Sequence, residues 1–190
     1  MTIKDLLCHR SGLGTFSGDV IWYKSDLNSE EIIRRLKGIE PAYSFRDGFG
    51  YSNVMYITAG EVIKKVSGKS WGENVQERIL DPVGMNRTIY SLKKLGKKGN
   101  YATPHALENE NNIPIPFVDW EEVGALGGII SSTTDMSKWM IFNLNNGIVG
   151  NDTLLAPASR NILWKMHNTF TVDQTKPNDD AVIVRTTPGS

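Results

Sequence analysis

The strongest structural constraint in the sequence is a stripe of apolar residues between about residues 52 and 66. Val54, Ile57, Thr58 and Val62 recur at the three- and four-residue spacing that keeps side chains on one face of an α-helix. Gly68 follows at a position where helices commonly stop. The pattern predicts an amphipathic helix whose apolar face must be covered by other elements of the fold.

Weaker patterns predict further helices, and strand-like patterns are rare. Thr2 and Asp5 have the spacing of a capping box at the start of a short helix, 2–9. Prolines interrupt the extended segment 113–118, which leaves it as an edge strand or a loop. The sequence therefore predicts a mainly α fold with a few short strands. The remaining predicted helices are 30–36, 71–80 (ending before Asp81-Pro82), 133–144 and 157–166, with Trp71, Trp139 and Trp164 as core anchors.

Composition argues against several functional classes. The 190 residues hold 21 Lys and Arg against 21 Asp and Glu, so no basic excess is available to neutralise nucleic-acid phosphates. No stretch approaches the ~18 apolar residues of a membrane span. His9, His105 and His167 lie far apart without metal-site spacing and are expected to be ordinary surface or core residues. The lone Cys8 is expected to be a small packing residue.

Five short sequence blocks follow one another along roughly residues 2 to 170. They are Thr2–Leu13 (TIKDLLCHRSGL), Phe49–Asn53 (FGYSN), which contains the Y-x-N motif Tyr51-Ser52-Asn53, the pair Ala59–Ile63 and Val66–Trp71, Asp81–Met85 (DPVGM), and Gly127–Ser132 with Asp135. Each block is a weak signal alone. Together, and in this order, they resemble the β-lactamase-related serine hydrolases, a family that includes class C β-lactamases, D-Ala-D-Ala carboxypeptidases, D-aminopeptidases and some esterases.

The resemblance carries an expectation about the fold. In that family a mixed α/β domain holds the sheet, a mostly helical domain is inserted into it, and the active site lies in the cleft between them. Residues 1–170 are then expected to be the helical region of the serine β-lactamase/DD-peptidase-like α/β fold, with the sheet domain largely missing. Residues 171–190 are expected to be a tail leading towards that sheet domain.

The resemblance also implies site residues. Tyr51 is the implied catalytic base or proton shuttle, and Asn53 is the implied residue that hydrogen-bonds the substrate amide. A free tyrosine has a pKa near ~10, so the family's phenolate depends on neighbouring lysines of its first and third motifs. The first motif, S-x-x-K, belongs before Thr2, and the third, K-T-G or H-x-G, belongs beyond Ser190; neither is found in its place.

The chain is accordingly expected to be a middle fragment without acylation chemistry of its own. Its parent would be a serine hydrolase acting on a peptidoglycan peptide, a β-lactam or an ester through an acyl-serine, with no metal and no cofactor. The parent would act in the periplasm or at the cell surface on a small-molecule or peptide substrate. The isolated chain is expected to self-associate through the face that the sheet domain would cover.

Two alternatives compete with this interpretation. The chain could be a complete, non-catalytic helical module for binding or structure, which the missing motifs formally favour. It also contains one S-x-x-K match, Ser91 to Lys94, which follows the Tyr51 block instead of preceding it and is interpreted as chance. Seen alone, a tyrosine at a helix start more often packs than catalyses.

Overall fold

The structure is a computed structural model that describes residues 1–97 and 99–168. The tail predicted at 171–190 lies outside the described residues. The α-helices in the described part are α1 (Ile3–Leu7), α2 (Asp19–Trp22), α3 (Ser29–Arg35), α4 (Asn53–Ser67), α5 (Trp71–Val75), α6 (Asp81–Val83), α7 (Thr133–Leu144) and α8 (Pro157–Leu163). Leu36–Gly38, Leu92–Lys97 and Glu121–Leu126 form 3₁₀ helices, and Gln76–Leu80 forms a π-helical turn.

The mainly α prediction is confirmed, and several predicted helix starts carry the expected caps. α4 occupies the predicted stripe, and Gly68 ends it in the left-handed conformation with a φ of 73°. Thr2 and Asp5 form both hydrogen bonds of a capping box ahead of α1. Ser132 accepts a hydrogen bond from the backbone of Asp135 at the start of α7.

The predicted end of the helix beginning at Trp71 is wrong. The chain passes through the π-helical turn into α6 and stops only at Gly84, which has a φ of 73°. Pro82 lies in the first turn of α6, directly after the π-helical turn. Proline at this position therefore does not end the helical path.

The described strands form two small antiparallel sheets. β1 (His105–Glu108) pairs with β2 (Asn111–Pro114), so that Glu108 lies opposite Asn111. The turn residues Asn109 and Glu110 both have positive φ angles, 47° and 65°, as a two-residue hairpin loop requires. β3 (Ile148–Val149) pairs with β4 (Asp152–Thr153). Of the predicted extended segment 113–118, only Ile113 and Pro114 lie in a strand, β2. No larger sheet occurs among the described residues.

The main core lies where α1, α3 and α4 meet the 3₁₀ helix at Glu121–Leu126. Ile32 and Val54 are fully buried there, and Leu6, Ile57 and Val123 pack beside them. A second core contains Val75, Leu80 and Met85, with Trp71 and Trp139 partly buried against it. The third predicted anchor is wrong, because Trp164 is 70% exposed at the end of α8.

Asp135, the acid of the last sequence block, has a structural role. Its side chain is buried and accepts hydrogen bonds from the backbone amides of Arg87 and Thr88 and from the Thr88 hydroxyl. Burial alone would raise the pKa of Asp135, but these hydrogen bonds outweigh it and lower the pKa. The carboxylate thereby ties α7 to the segment that follows α6.

Candidate active site

The Tyr51-Ser52-Asn53 block lies at the N-terminal end of α4, as the sequence predicted. Ser52 is the residue that caps the helix, with extended backbone angles, and it is fully buried. Tyr51 precedes it and is 39% exposed, while Asn53 opens the first turn of α4. The structure thus places both predicted site residues at one end of the most strongly patterned helix.

The backbone around Tyr51 is held from two sides. The Gly50 amide donates to the carbonyl of His9 at 3.2 Å, and the Ser52 amide donates to His9 Nδ1 at 3.0 Å. On the other side, the Phe16 amide donates to the Tyr51 carbonyl at 2.8 Å. Three successive backbone groups flanking the Tyr51 side chain are therefore fixed by residues distant in sequence.

Packing orients the Tyr51 ring and leaves its hydroxyl free. The ring centroid lies 4.8 Å from that of His9, with the planes tilted by 35°, and Phe16 approaches edge-on at 5.3 Å. Within residues 1–97 and 99–168, no hydrogen bond engages the Tyr51 hydroxyl. A packed phenol ring on a residue that is 39% exposed, with a hydroxyl that makes no hydrogen bond in the described part of the chain, is suited to exchange a proton with a bound molecule.

Asn53 is oriented by a carboxylate that the sequence analysis missed. Asn53 Nδ2 donates to Asp19 Oδ2 at 2.8 Å, and Asp19 Oδ1 accepts from Trp22 Nε1 at 2.9 Å. Because an ionised carboxylate only accepts hydrogen bonds, the amide nitrogen of Asn53 must be the atom that faces Asp19. Among the described residues, the Asn53 carbonyl oxygen and its second amide hydrogen make no other hydrogen bond.

Neither His9 nor Asp19 was identified as a site residue from the sequence. His9 stands in the first matched block, but its spacing from the other histidines carried no chemical signal. Asp19 begins α2 in a stretch that looked like a loop. Only the fold brings both residues against the Tyr51 block.

A close backbone approach sits directly before Tyr51. A Cβ atom added to Gly50 would lie 1.9 Å from the carbonyl oxygen of Leu13. No side chain can be placed at that distance. Glycine at this position therefore lets the segment before α4 lie close to the loop after α1.

An ion pair links α1 to the loop that leads into the Tyr51 block. Arg46 donates two hydrogen bonds of 2.8 Å to the buried carboxylate of Asp5, and Thr2 donates two more. The Arg46 guanidinium, together with Thr2, holds the pKa of Asp5 well below its usual range. Asp5 therefore caps α1 and anchors the loop with one side chain.

The alternative Ser91–Lys94 pair does not have the arrangement of a nucleophile and its base. Ser91 is only 4% exposed, and the Lys94 ammonium lies over the ring of Tyr90, 3.9 Å from its centroid. Across the described residues, no group of three His, Cys, Asp or Glu side chains converges as a metal site. No helix in that same part of the chain is long and apolar enough to cross a membrane.

Comparisons with known proteins identify the family of the chain. The family model described as Beta-lactamase matches residues 1–180. An unguisins hydrolase of Aspergillus violaceofuscus is 32% identical over 149 residues, covering 73% of this chain and 26% of that protein. A teichoic acid D-alanine hydrolase of Staphylococcus aureus is 29% identical over 140 residues, covering 72% of this chain and 33% of that protein.

Solved structures show the same similarity. The octameric penicillin-binding protein homologue from Pyrococcus abyssi superposes with a TM-score of 0.71 at 26% identity, covering 85% of this chain and 37% of that one. A D-stereospecific amidohydrolase from Streptomyces, at 21% identity and a TM-score of 0.69, shares the fold over 94% of this chain and 54% of its own. The chain spans about 31% and 26% of the two unguisins hydrolases it matches. With a family match over residues 1–180 and a fold shared with penicillin-binding proteins and amidohydrolases, the chain belongs to the β-lactamase-related serine hydrolases.

Proposed function

We propose that this chain supplies the Tyr51 and Asn53 side of the active site of a serine hydrolase that acts on amide or ester bonds through an acyl-serine intermediate. The observation that carries the proposal is the fixed turn at Tyr51. Its backbone is hydrogen-bonded on both sides, the residue is 39% exposed, and its hydroxyl makes no hydrogen bond within the described residues.

Acyl transfer needs a serine hydroxyl, a group that moves its proton, and donors that orient the substrate carbonyl or amide. Tyr51 is the proton carrier in this scheme. Within the described part of the chain, Asn53 has a carbonyl oxygen and one amide hydrogen without a partner, so it can hydrogen-bond a substrate amide while Asp19 keeps it in place. No S-x-x-K sequence precedes Tyr51 in these 190 residues, and we propose that the serine comes from a segment outside them.

The substrate class rests on the chemistry named for the relatives. They include unguisins hydrolases, a teichoic acid D-alanine hydrolase and a D-amino acid amidase, which are all hydrolases. This supports an amide or ester as the bond that is cleaved. The family's usual peptidoglycan and β-lactam substrates support a periplasmic or cell-surface location for the full-length enzyme, hereafter the parent enzyme.

The proposal has a direct test on the isolated chain. A fluorescent penicillin and a nitrophenyl ester should label no serine, with a Ser91→Ala variant as the control. Stoichiometric labelling that disappears in Ser91→Ala would show that the chain carries its own nucleophile and would refute the proposal.

The second test concerns Tyr51 in the parent enzyme. Tyr51→Phe keeps the ring that packs on His9 and removes only the hydroxyl, so folding should be preserved. Turnover should fall by ~100- to 10,000-fold, the range for losing a positioned acid or base. A rate equal to that of the wild type would remove Tyr51 from the mechanism and favour a binding role for the module.

We also propose that the isolated chain self-associates through exposed apolar side chains on α7, on α8 and in residues 164–166, together called its apolar face. Sedimentation should show a concentration-dependent dimer or larger species, and a stable monomer at high concentration would contradict this. Leu144→Lys, at an 81% exposed position on α7, should shift the equilibrium towards monomer. The exposed apolar residues of this face are Met136, Met140, Ile141, Leu144, Ile162, Leu163, Trp164 and Met166.

A further inference from the structure

His9 contacts the Tyr51 turn with both its backbone and its side chain. Its φ angle is 57°, in the left-handed region that few residues other than glycine, asparagine, aspartate and histidine adopt readily. This conformation turns the chain after α1 so that its carbonyl receives the Gly50 amide at 3.2 Å and its Nδ1 receives the Ser52 amide at 3.0 Å. The residues on either side of Tyr51 are thus held by one histidine.

The Ser52 contact determines which form of the His9 ring is present. A ring nitrogen that accepts a hydrogen bond carries no proton, so Nδ1 is bare and the remaining proton lies on Nε2. A cationic imidazole would have to give up the Ser52 amide. Burial lowers the pKa of His9, which favours the same neutral form.

Aromatic contacts with the His9 ring also hold it in place. Tyr56 stacks on His9 with a centroid distance of 5.3 Å and an interplanar angle of 27°, and Phe49 approaches edge-on at 5.5 Å. Tyr56 is fixed in turn by a hydrogen bond from its hydroxyl to the Leu7 carbonyl at 3.1 Å. With its ring packed in this way, His9 presents a defined surface to the Tyr51 ring 4.8 Å away.

We propose that His9 is the positioning residue for Tyr51: its neutral ring sets the direction of the phenol, and its Nδ1 sets the turn between Tyr51 and Asn53. This inference rests on the proposed function, because it assigns His9 a consequence for proton transfer by Tyr51. His9 acts through its contacts with the Tyr51 ring and the Ser52 amide.

The contact is tested first on the isolated chain. The imidazole ¹⁵N shifts at pH 7.5 should show a bare Nδ1 and a protonated Nε2, and a protonated Nδ1 would overturn the inference. His9→Asn places an amide oxygen near the position of Nδ1 and tolerates the backbone conformation, whereas His9→Phe keeps a ring and lacks the acceptor. The Ser52 amide should stay protected from exchange in His9→Asn and exchange ~5-fold faster or more in His9→Phe. Equal protection in the two variants would contradict the hydrogen bond.

The catalytic consequence is tested by a double-mutant cycle in the parent enzyme, with an activated ester that keeps residual rates measurable. His9→Asn and His9→Phe should each lower kcat by ~10- to 100-fold with little change in KM, the size expected for misplacing a reacting group by about 1 Å. In a Tyr51→Phe background the same substitutions should cause no further loss, because the group they position is gone. Equal losses in both backgrounds would show that His9 is merely structural. A fully active Tyr51→Phe enzyme would instead overturn the proposed function and any catalytic role of His9 with it.

Discussion

Gly50→Ala is the substitution that most directly tests whether the Tyr51 turn must be held in place. The added Cβ would start 1.9 Å from the Leu13 carbonyl oxygen, and the other nearby atoms are also backbone. Close carbon–oxygen contacts in proteins lie near ~3.3 Å. The two segments must therefore separate by about 1.4 Å (3.3 minus 1.9), and no flexible side chain can absorb the shift.

The expected losses of stability and of activity follow from this displacement. Overpacking of this kind costs ~1–3 kcal/mol of stability, which exceeds the ~0.4–1 kcal/mol that alanine gains by restricting the unfolded chain. The activity should suffer more than the fold, because a displacement of about 1 Å at a reacting group costs ~100-fold in rate. We therefore expect a folded parent enzyme whose kcat is reduced by about two orders of magnitude.

The assay compares kcat for a nitrophenyl ester with thermal unfolding of the same variant. Gly38→Ala is the matched control, because a Cβ there meets nothing within 4 Å. It should leave kcat unchanged and the unfolding temperature unchanged or slightly raised. A Gly50→Ala enzyme that keeps its kcat within about twofold of the wild type would refute the claim that the turn positions Tyr51.

Three further predictions concern side chains around the site. Ser52→Ala should leave stability unchanged or raise it by up to ~1 kcal/mol in a urea titration, because the buried hydroxyl has no hydrogen-bond partner in the described structure; a clear loss would contradict this. Asp19→Ala should lower the free energy of unfolding by ~1–3 kcal/mol, because it leaves the Asn53 amide and the Trp22 indole N–H without an acceptor. Asp19→Asn should lower it less, because the new side chain keeps one acceptor oxygen; equal losses in the two variants would argue against these hydrogen bonds. Because the folded pKa of Asp5 is depressed, its stabilisation is complete above the unfolded pKa of ~3.9 and is lost as pH falls through the lower folded pKa. Asp5→Asn should therefore lose less stability than the wild type between pH 6 and pH 3 in a denaturant titration, and equal losses would refute this account of Asp5.

Local signals in the sequence were sufficient for the helices with strong periodicity and caps. The α4 stripe, the capping box at Thr2 and Asp5, and the Ser132 cap all depend on residues within one or two turns of each other. Prediction failed where distant packing decides the outcome. Trp164 looks like a core residue by composition, yet the described residues leave it 70% exposed.

The sequence by itself determined the family and the mainly α character, and it predicted Tyr51 and Asn53 as a site pair, because these are carried by short motifs and local periodicity. Only the tertiary structure showed that His9 and Asp19 support this pair. The contacts join residues separated by 43 and 34 positions, and no spacing rule within a helix or strand relates such distances. The partners of Tyr51 and Asn53 are set by how α1 and α2 pack against the start of α4, because a hydrogen bond needs its atoms within about 3 Å whatever their separation along the chain.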